Sequence, residues 1–116
     1  MKSLEHNLQC ACIRWFRMQF PQYICFAIPN GGHRNIQTAA LLKKEGVLAG
    51  VADLCVLVPT RFFHGLFIEM KVGKNRQTEQ QKSFGEYAVK QGYAYEVCYD
   101  LDSFIDVVTE YLSHPR

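Results

Sequence analysis

Apolar positions along the chain repeat with two periods, and the switches between them mark out its elements. Leu4, Leu8, Ala11, Cys12 and Trp15 recur at helical spacing, predicting a helix from Ser3, as N-cap, to about Met18, with Pro21 closing the segment. Tyr23 to Ile28 is an unbroken apolar and aromatic run that reads as a strand stopped by Pro29. A short helix is expected over Asn35 to Glu45, with Ala39, Ala40, Leu41 and Leu42 as its apolar side and Gly46 as its stop. Leu54 to Val58 and the run through Leu66, Phe67, Ile68, Met70 and Val72 flank a turn from Pro59 to His64, which makes an antiparallel hairpin. Thr78 with Gln81 three residues on matches a capping box, opening a helix that carries Phe84, Tyr87, Ala88 and Gln91 to a stop at Gly92. Tyr93 to Tyr99 reads as the last strand, and Asp100 or Asp102 caps a final helix packed through Phe104, Ile105, Val108 and Leu112. This order predicts an α/β fold in which helices flank a small mixed β-sheet.

The chemistry lies in the second hairpin run, where Glu69 and Lys71 interrupt one of two otherwise apolar faces. Side chains two apart on a strand share a face, so a carboxylate and an ammonium stand side by side on a mostly buried strand. With the turn centred near Arg61, Asp53 falls opposite Glu69, and Asp53, Glu69 and Lys71 share one surface. Two carboxylates held together repel unless a pKa rises or a cation binds. Oxygen-only ligands favour Mg2+ or Mn2+, and a lysine beside such an ion can steer an attacking water or stabilise charge on a phosphate. Gly46 and Gly50 bracket the approach to Asp53, either as a plain turn or as a place where a phosphate comes near the backbone. Lys74, Arg76 and Lys82, close in sequence to this strand, are the candidate phosphate contacts. Lys43 and Lys44 are explained as well by the dipole of their own helix as by DNA.

Composition narrows the class without deciding it. A chain of 116 residues, 48% of them hydrophobic, supports one domain over 1–116 with one core. A formal charge of +2 does not by itself indicate a nucleic-acid partner, so any phosphate affinity must come from local clustering. None of the five cysteines forms a C-x-x-C pair and most lie in apolar contexts, which suggests reduced thiols in a cytoplasmic protein. Cys10 and Cys12 with His6 make a poor zinc pattern, because helical spacing puts adjacent ligands on different faces. There is no signal-peptide pattern, and no apolar run approaches the roughly 20 residues of a membrane span, so no membrane partner is expected.

At Asp53 and Glu69-x-Lys71 the chain resembles the PD-(D/E)xK nucleases. The segment Gly46-Val47-Leu48-Ala49-Gly50-Val51-Ala52-Asp53 resembles more closely the VRR-NUC branch, whose members carry Gly-x-x-x-Gly-x-Pro-Asp there, and Asn30-Gly31-Gly32 is similar to an element after that family's first strand. Ala52 replaces the usual proline, a residue that shapes backbone rather than touching metal. The resemblance spans nearly the whole chain and implies a restriction-endonuclease-like αβββαβ core. It further implies one or two Mg2+ or Mn2+ ions held by Asp53, Glu69, the Met70 carbonyl and, directly or through water, Glu5. Lys71 would orient the attacking water, Gln81 would act beside the metal cluster or on a phosphate, and Asn30 and Arg34 would lie near the nucleic-acid backbone. On the residues alone, Glu5 reads first as a first-turn acid favoured by the helix dipole, and Gln81 need be no more than a cap partner. The products implied are a 5′-phosphate and a 3′-hydroxyl. Minimal stand-alone chains of this kind, found among phage and bacterial sequences, resemble Holliday-junction resolvases and are commonly homodimers, so branched DNA is the expected substrate.

Two other classes compete with an endonuclease: a binding module that keeps the fold without cleaving, and an unrelated structural domain. An intact acid-acid-lysine set argues against a retired site, since desolvated charges are costly to keep. Metal-dependent cleavage separates the three.

Overall fold

The computed structural model describes residues 2–29 and 36–116. Its elements are α1 (Lys2–Gln19), β1 (Cys25–Ala27), α2 (Ile36–Lys44), β2 (Leu54–Val56), β3 (Leu66–Met70), α3 (Glu79–Lys90), β4 (Ala94–Cys98) and α4 (Leu101–Leu112). The four strands form one sheet in the order β1-β2-β3-β4. β1 and β2, then β2 and β3, pair antiparallel, while β4 returns parallel to β3 after crossing over through α3. This is the mixed α/β sheet that the apolar pattern predicts.

One face of the sheet carries the core. Cys25, Leu54, Val56, Leu66, Ile68, Met70, Ala94 and Cys98 point to the same side, where Cys12 and Phe16 of α1 and Phe104, Val108 and Tyr111 of α4 cover them. α3 covers the β3–β4 half of the other face. There Phe84 meets Phe67 edge-on at 5.1 Å, and Gly85 makes room for the Tyr95 ring, whose nearest atom lies 2.7 Å from where a Cβ would stand. The β1–β2 half of that face is open, and Ile24, Phe26 and Leu57 are exposed on it.

Several local expectations are revised. α1 starts at Lys2, so Ser3 lies within the helix rather than capping it. Phe16 is a core residue of α1, whereas Leu4 is 57% exposed, because the first turn stands at the end of the sheet where Glu5 feels the charge of Asp53. Ala39, Ala40 and Leu41 of α2 are exposed and only Leu42 is partly covered, so most of the apolar side expected of that helix is not covered by the rest of the described chain. β1 is shorter than Tyr23 to Ile28, yet bonds continue past both ends: Leu57 N–H donates to the Ile24 carbonyl at 2.9 Å and Ile28 N–H to the Asp53 carbonyl at 2.8 Å. Asp100, not Asp102, caps α4, accepting from Ser103 N–H at 2.8 Å.

The hairpin tip is organised by a buried hydroxyl. Thr60 Oγ1 accepts from the backbone N–H groups of Phe62 and Phe63, both at 3.2 Å, and the two rings stand against His114 and Tyr111. All five cysteines are free thiols, and only Cys10 is exposed. Burial pushes the Cys12 and Cys25 thiols up to about 12, which keeps them protonated and unreactive. Among the described residues no helix is long and apolar enough to cross a membrane.

Candidate active site

The β2–β3 register pairs Leu54 with Ile68 and Cys55 with Phe67, so one step on, Asp53 faces Glu69 as the hairpin arithmetic predicts. β2 begins only at Leu54, paired with Ile68, so the Met70 N–H has no β2 carbonyl opposite it, and Asp53 Oδ2 accepts it at 2.7 Å. The carboxylate thus finishes the ladder with its own side chain and is fixed against the end of β3. Since the N–H and C=O of a strand residue point to the same edge, the Met70 carbonyl faces this side as well.

Glu69 is 1% exposed. Its Oε2 accepts from Gln81 Nε2 at 2.7 Å and lies 3.7 Å from Lys71 Nζ, while Oε1 is buried with no hydrogen-bond partner. Burial first, then the charge of Asp53, pushes the Glu69 carboxyl up, and Lys71 only partly opposes this. Asp53 is raised too, by burial that outweighs the Met70 N–H, a hydrogen bond shared with the Glu69 side chain, and Lys71. Glu5 is raised by its own burial and by Asp53, which places its carboxyl within electrostatic reach of the pair. A buried, unpartnered carboxylate oxygen beside a second carboxylate calls for a proton or a cation.

Gln81 serves two ends. Its backbone N–H donates to Thr78 Oγ1 at 3.1 Å and its Oε1 accepts from Thr78 N–H at 2.8 Å, closing the capping box, while its Nε2 holds Glu69. The cap and the site contact, alternatives in the sequence, are one side chain's two ends. Gln81→Ala is expected to lower stability by about 1–2 kcal/mol in chemical denaturation, through loss of the cap and of a bond to a buried carboxylate.

Gly50 joins the segment before Asp53 to this helix. Its φ is +92°, and a Cβ there would stand 2.5 Å from the backbone of Gln80. Gly50→Ala is therefore expected to cost roughly 1–3 kcal/mol from the left-handed backbone alone, with more from displacing α3. A fall in thermal midpoint together with loss of metal-induced stabilisation would show that the site moves with the loop.

Tyr95 is a supporting residue the sequence did not single out, since an aromatic on an alternating strand reads as core. Its hydroxyl accepts from Gln77 Nε2 at 2.9 Å and donates to the Gln81 carbonyl at 3.4 Å, bracing the first turn of α3. Lys74, Arg76 and Lys82 are exposed beside the site, with Lys82 paired to Glu79 at 3.6 Å. Asn30 and Arg34 lie outside the described residues. Among the described residues no three or more His, Cys, Asp or Glu side chains gather closely enough to hold a metal ion. On α1, Cys10 Sγ lies 3.5 Å from His6 Nε2, while Cys12 is buried in the core. For a hard cation the donors available at the end of β3 are the Asp53 and Glu69 carboxylates and the Met70 carbonyl, with the Glu5 carboxyl within electrostatic reach. Such an all-oxygen set, with one oxygen unsatisfied, fits Mg2+ or Mn2+.

The family model for the VRR-NUC domain matches residues 2–100. The chain belongs to the VRR-NUC family. A solved structure described as a VRR_NUC domain protein aligns with this VRR-NUC chain at a TM-score of 0.83 and 29% identity, covering 96% of this chain and 89% of that one. No curated protein matches the sequence. Membership makes this a nuclease-type domain, with nucleic acid as the implied substrate.

Proposed function

We propose that this VRR-NUC protein is a divalent-metal-dependent DNA endonuclease that prefers branched DNA, Holliday junctions among them, and works as a homodimer. The observation that carries the reading is half-buried Asp53 beside buried Glu69, one of whose oxygens is unpartnered, with Lys71 alongside. Asp53, Glu69 and the Met70 carbonyl would hold Mg2+ or Mn2+, with Glu5 acting directly or through water. When bound, the ion supplies Lewis-acid polarisation of the scissile phosphate and a more acidic water. Gln81 holds Glu69 in place, so that its free oxygen stays turned to the site. Lys71, fixed beside Glu69, orients the attacking water and offsets charge building on the phosphate. Hydrolysis leaves a 5′-phosphate and a 3′-hydroxyl. Lys74, Arg76 and Lys82 bind neighbouring phosphates.

Two surfaces support the homodimer: the open patch of Ile24, Phe26 and Leu57, and Phe62 at the hairpin tip, 64% exposed. A non-cleaving nucleic-acid-binding module is the second reading, favoured by the lack of a cluster of three ligating side chains among the described residues.

The test is cleavage of labelled four-way junction, flap, single-stranded and duplex DNA in Mg2+ or Mn2+, against a chelator control, with sedimentation giving the oligomeric state. Metal-dependent cutting strongest on the junction is expected. Binding without cutting in either metal would leave the binding module.

A further inference from the structure

We infer that the groove between α1 and the edge strand β1 is a track for the nucleic-acid strand running out of the active site, with Arg14 and Arg17 gripping its phosphates; the inference rests on the nuclease reading. The groove has a volume of about 510 Å³, and His6, Gln9, Cys10, Arg14, Arg17 and Ala27 are among the residues that line it. None of its lining residues is acidic. Arg14 and Arg17 are exposed and have no ion-pair partner among the described residues, in contrast to Lys82. Arg17 faces Cys25 across the groove, close enough for its charge to oppose the rise that burial imposes on that thiol.

Both walls of the groove lead toward the catalytic end of the sheet. On the helix wall, Gln9 follows Glu5 by one turn on the same face, and Glu5 feels Asp53 and Lys71. On the strand wall, Ala27 precedes Ile28, whose N–H donates to the Asp53 carbonyl at 2.8 Å. Arg14 and Arg17 stand about 14 Å and 18 Å along α1 from Glu5, at roughly 1.5 Å per residue. At about 3.4 Å of duplex axis per nucleotide, that distance is a few nucleotides from the reacting phosphate. Guanidinium groups suit this task, because their paired N–H donors match phosphate oxygens. Lys74, Arg76 and Lys82 come from the segment after β3 and from α3 rather than from the β1 edge, so the two groups would hold the strand at separate places.

Cys10 makes the position testable, being the sole exposed thiol and lying in the groove. In Ca2+, used so that DNA stays whole, wild-type protein and the Arg14→Gln/Arg17→Gln double variant are titrated against fluorescent duplex and single-stranded oligonucleotides at several salt concentrations. The same oligonucleotides are tested as protectants of Cys10 against maleimide. We expect the double variant to bind about tenfold or more weakly, with a salt slope lower by about two and an unchanged thermal midpoint. DNA should slow labelling of wild-type Cys10 several-fold. Wild type that binds DNA but leaves Cys10 labelling unchanged, or a double variant of equal affinity and slope, would overturn the track and leave the nuclease reading standing. Protection and weakened binding without any cutting in Mg2+ or Mn2+ would support the track and overturn cleavage alone.

Discussion

Lys71→Met is expected to lower the rate of metal-dependent cleavage by about 10²–10³-fold, while the affinity for DNA stays within a few-fold of wild type. Methionine keeps the length of the apolar stem that packs on β3 and removes only the ammonium. That ammonium is held 3.7 Å from Glu69 Oε2 on a residue only 9% exposed, so it is pre-positioned and loses little on reorganising during the reaction. A charge that is fixed before the phosphate arrives acts mainly on the transition state, which is why the loss should fall on the single-turnover rate rather than on binding. Single-turnover cleavage and anisotropy titrations separate the two quantities. Equal losses in both would make Lys71 a structural partner of Glu69 and no more. The exposed Lys74→Ala gives the opposite pattern: weaker binding and a shallower salt dependence, with the rate at saturation nearly kept.

How much of this was readable from the sequence depended on how far apart the interacting residues are. The pairing of Asp53 with Glu69 follows from a short hairpin whose two runs fix their own register, since a slip by one residue would turn every apolar side chain outward. The Thr78–Gln81 capping box is equally local. The contact between Gly50 and Gln80 and the brace from Tyr95 to the Gln81 carbonyl are different. They join segments whose separation in sequence carries no spacing rule, and they exist only because α3 crosses from β3 to β4 over that face of the sheet. Phe16 and Leu4 of α1 show the same limit: both fit a helical stripe, and only the docking of α1 decides that Phe16 meets the core while Leu4 stays 57% exposed at the end of the sheet. Glu5 is the instructive case, because one acid satisfies the helix dipole and reaches the charge of Asp53, so neither explanation excludes the other.

The metal-free protein is expected to lose stability as the pH rises from about 5 to about 8, and to recover it when Mg2+ or Mn2+ is added at the upper end. Glu69 has an ordinary value of 4.5 when unfolded and is pushed up to about 8 in the fold, chiefly by burial and then by Asp53. A carboxyl whose folded pKa lies above its unfolded one binds more protons in the native state, so the slope of unfolding free energy against pH is negative between the two values. Its contribution is fully present below the unfolded value and lost as the pH climbs through the folded one. Asp53, raised in the same direction, adds to the trend. The loss should be on the order of a few kcal/mol, a drop in thermal midpoint of roughly 10 °C or more for a domain of this size. A cation held by Asp53 and Glu69 would replace the proton, so the midpoint gain on adding metal should be larger at pH 8 than at pH 5. Glu69→Gln removes the titrating group while keeping its shape, and its midpoint should vary far less over this range and respond weakly to metal. Thermal scans of both proteins across pH, with chelator and with each metal, measure all of these. A wild-type midpoint that is flat from pH 5 to pH 8 in chelator would mean that the pair relaxes into water, and that the buried oxygen of Glu69 is not held in wait for an ion.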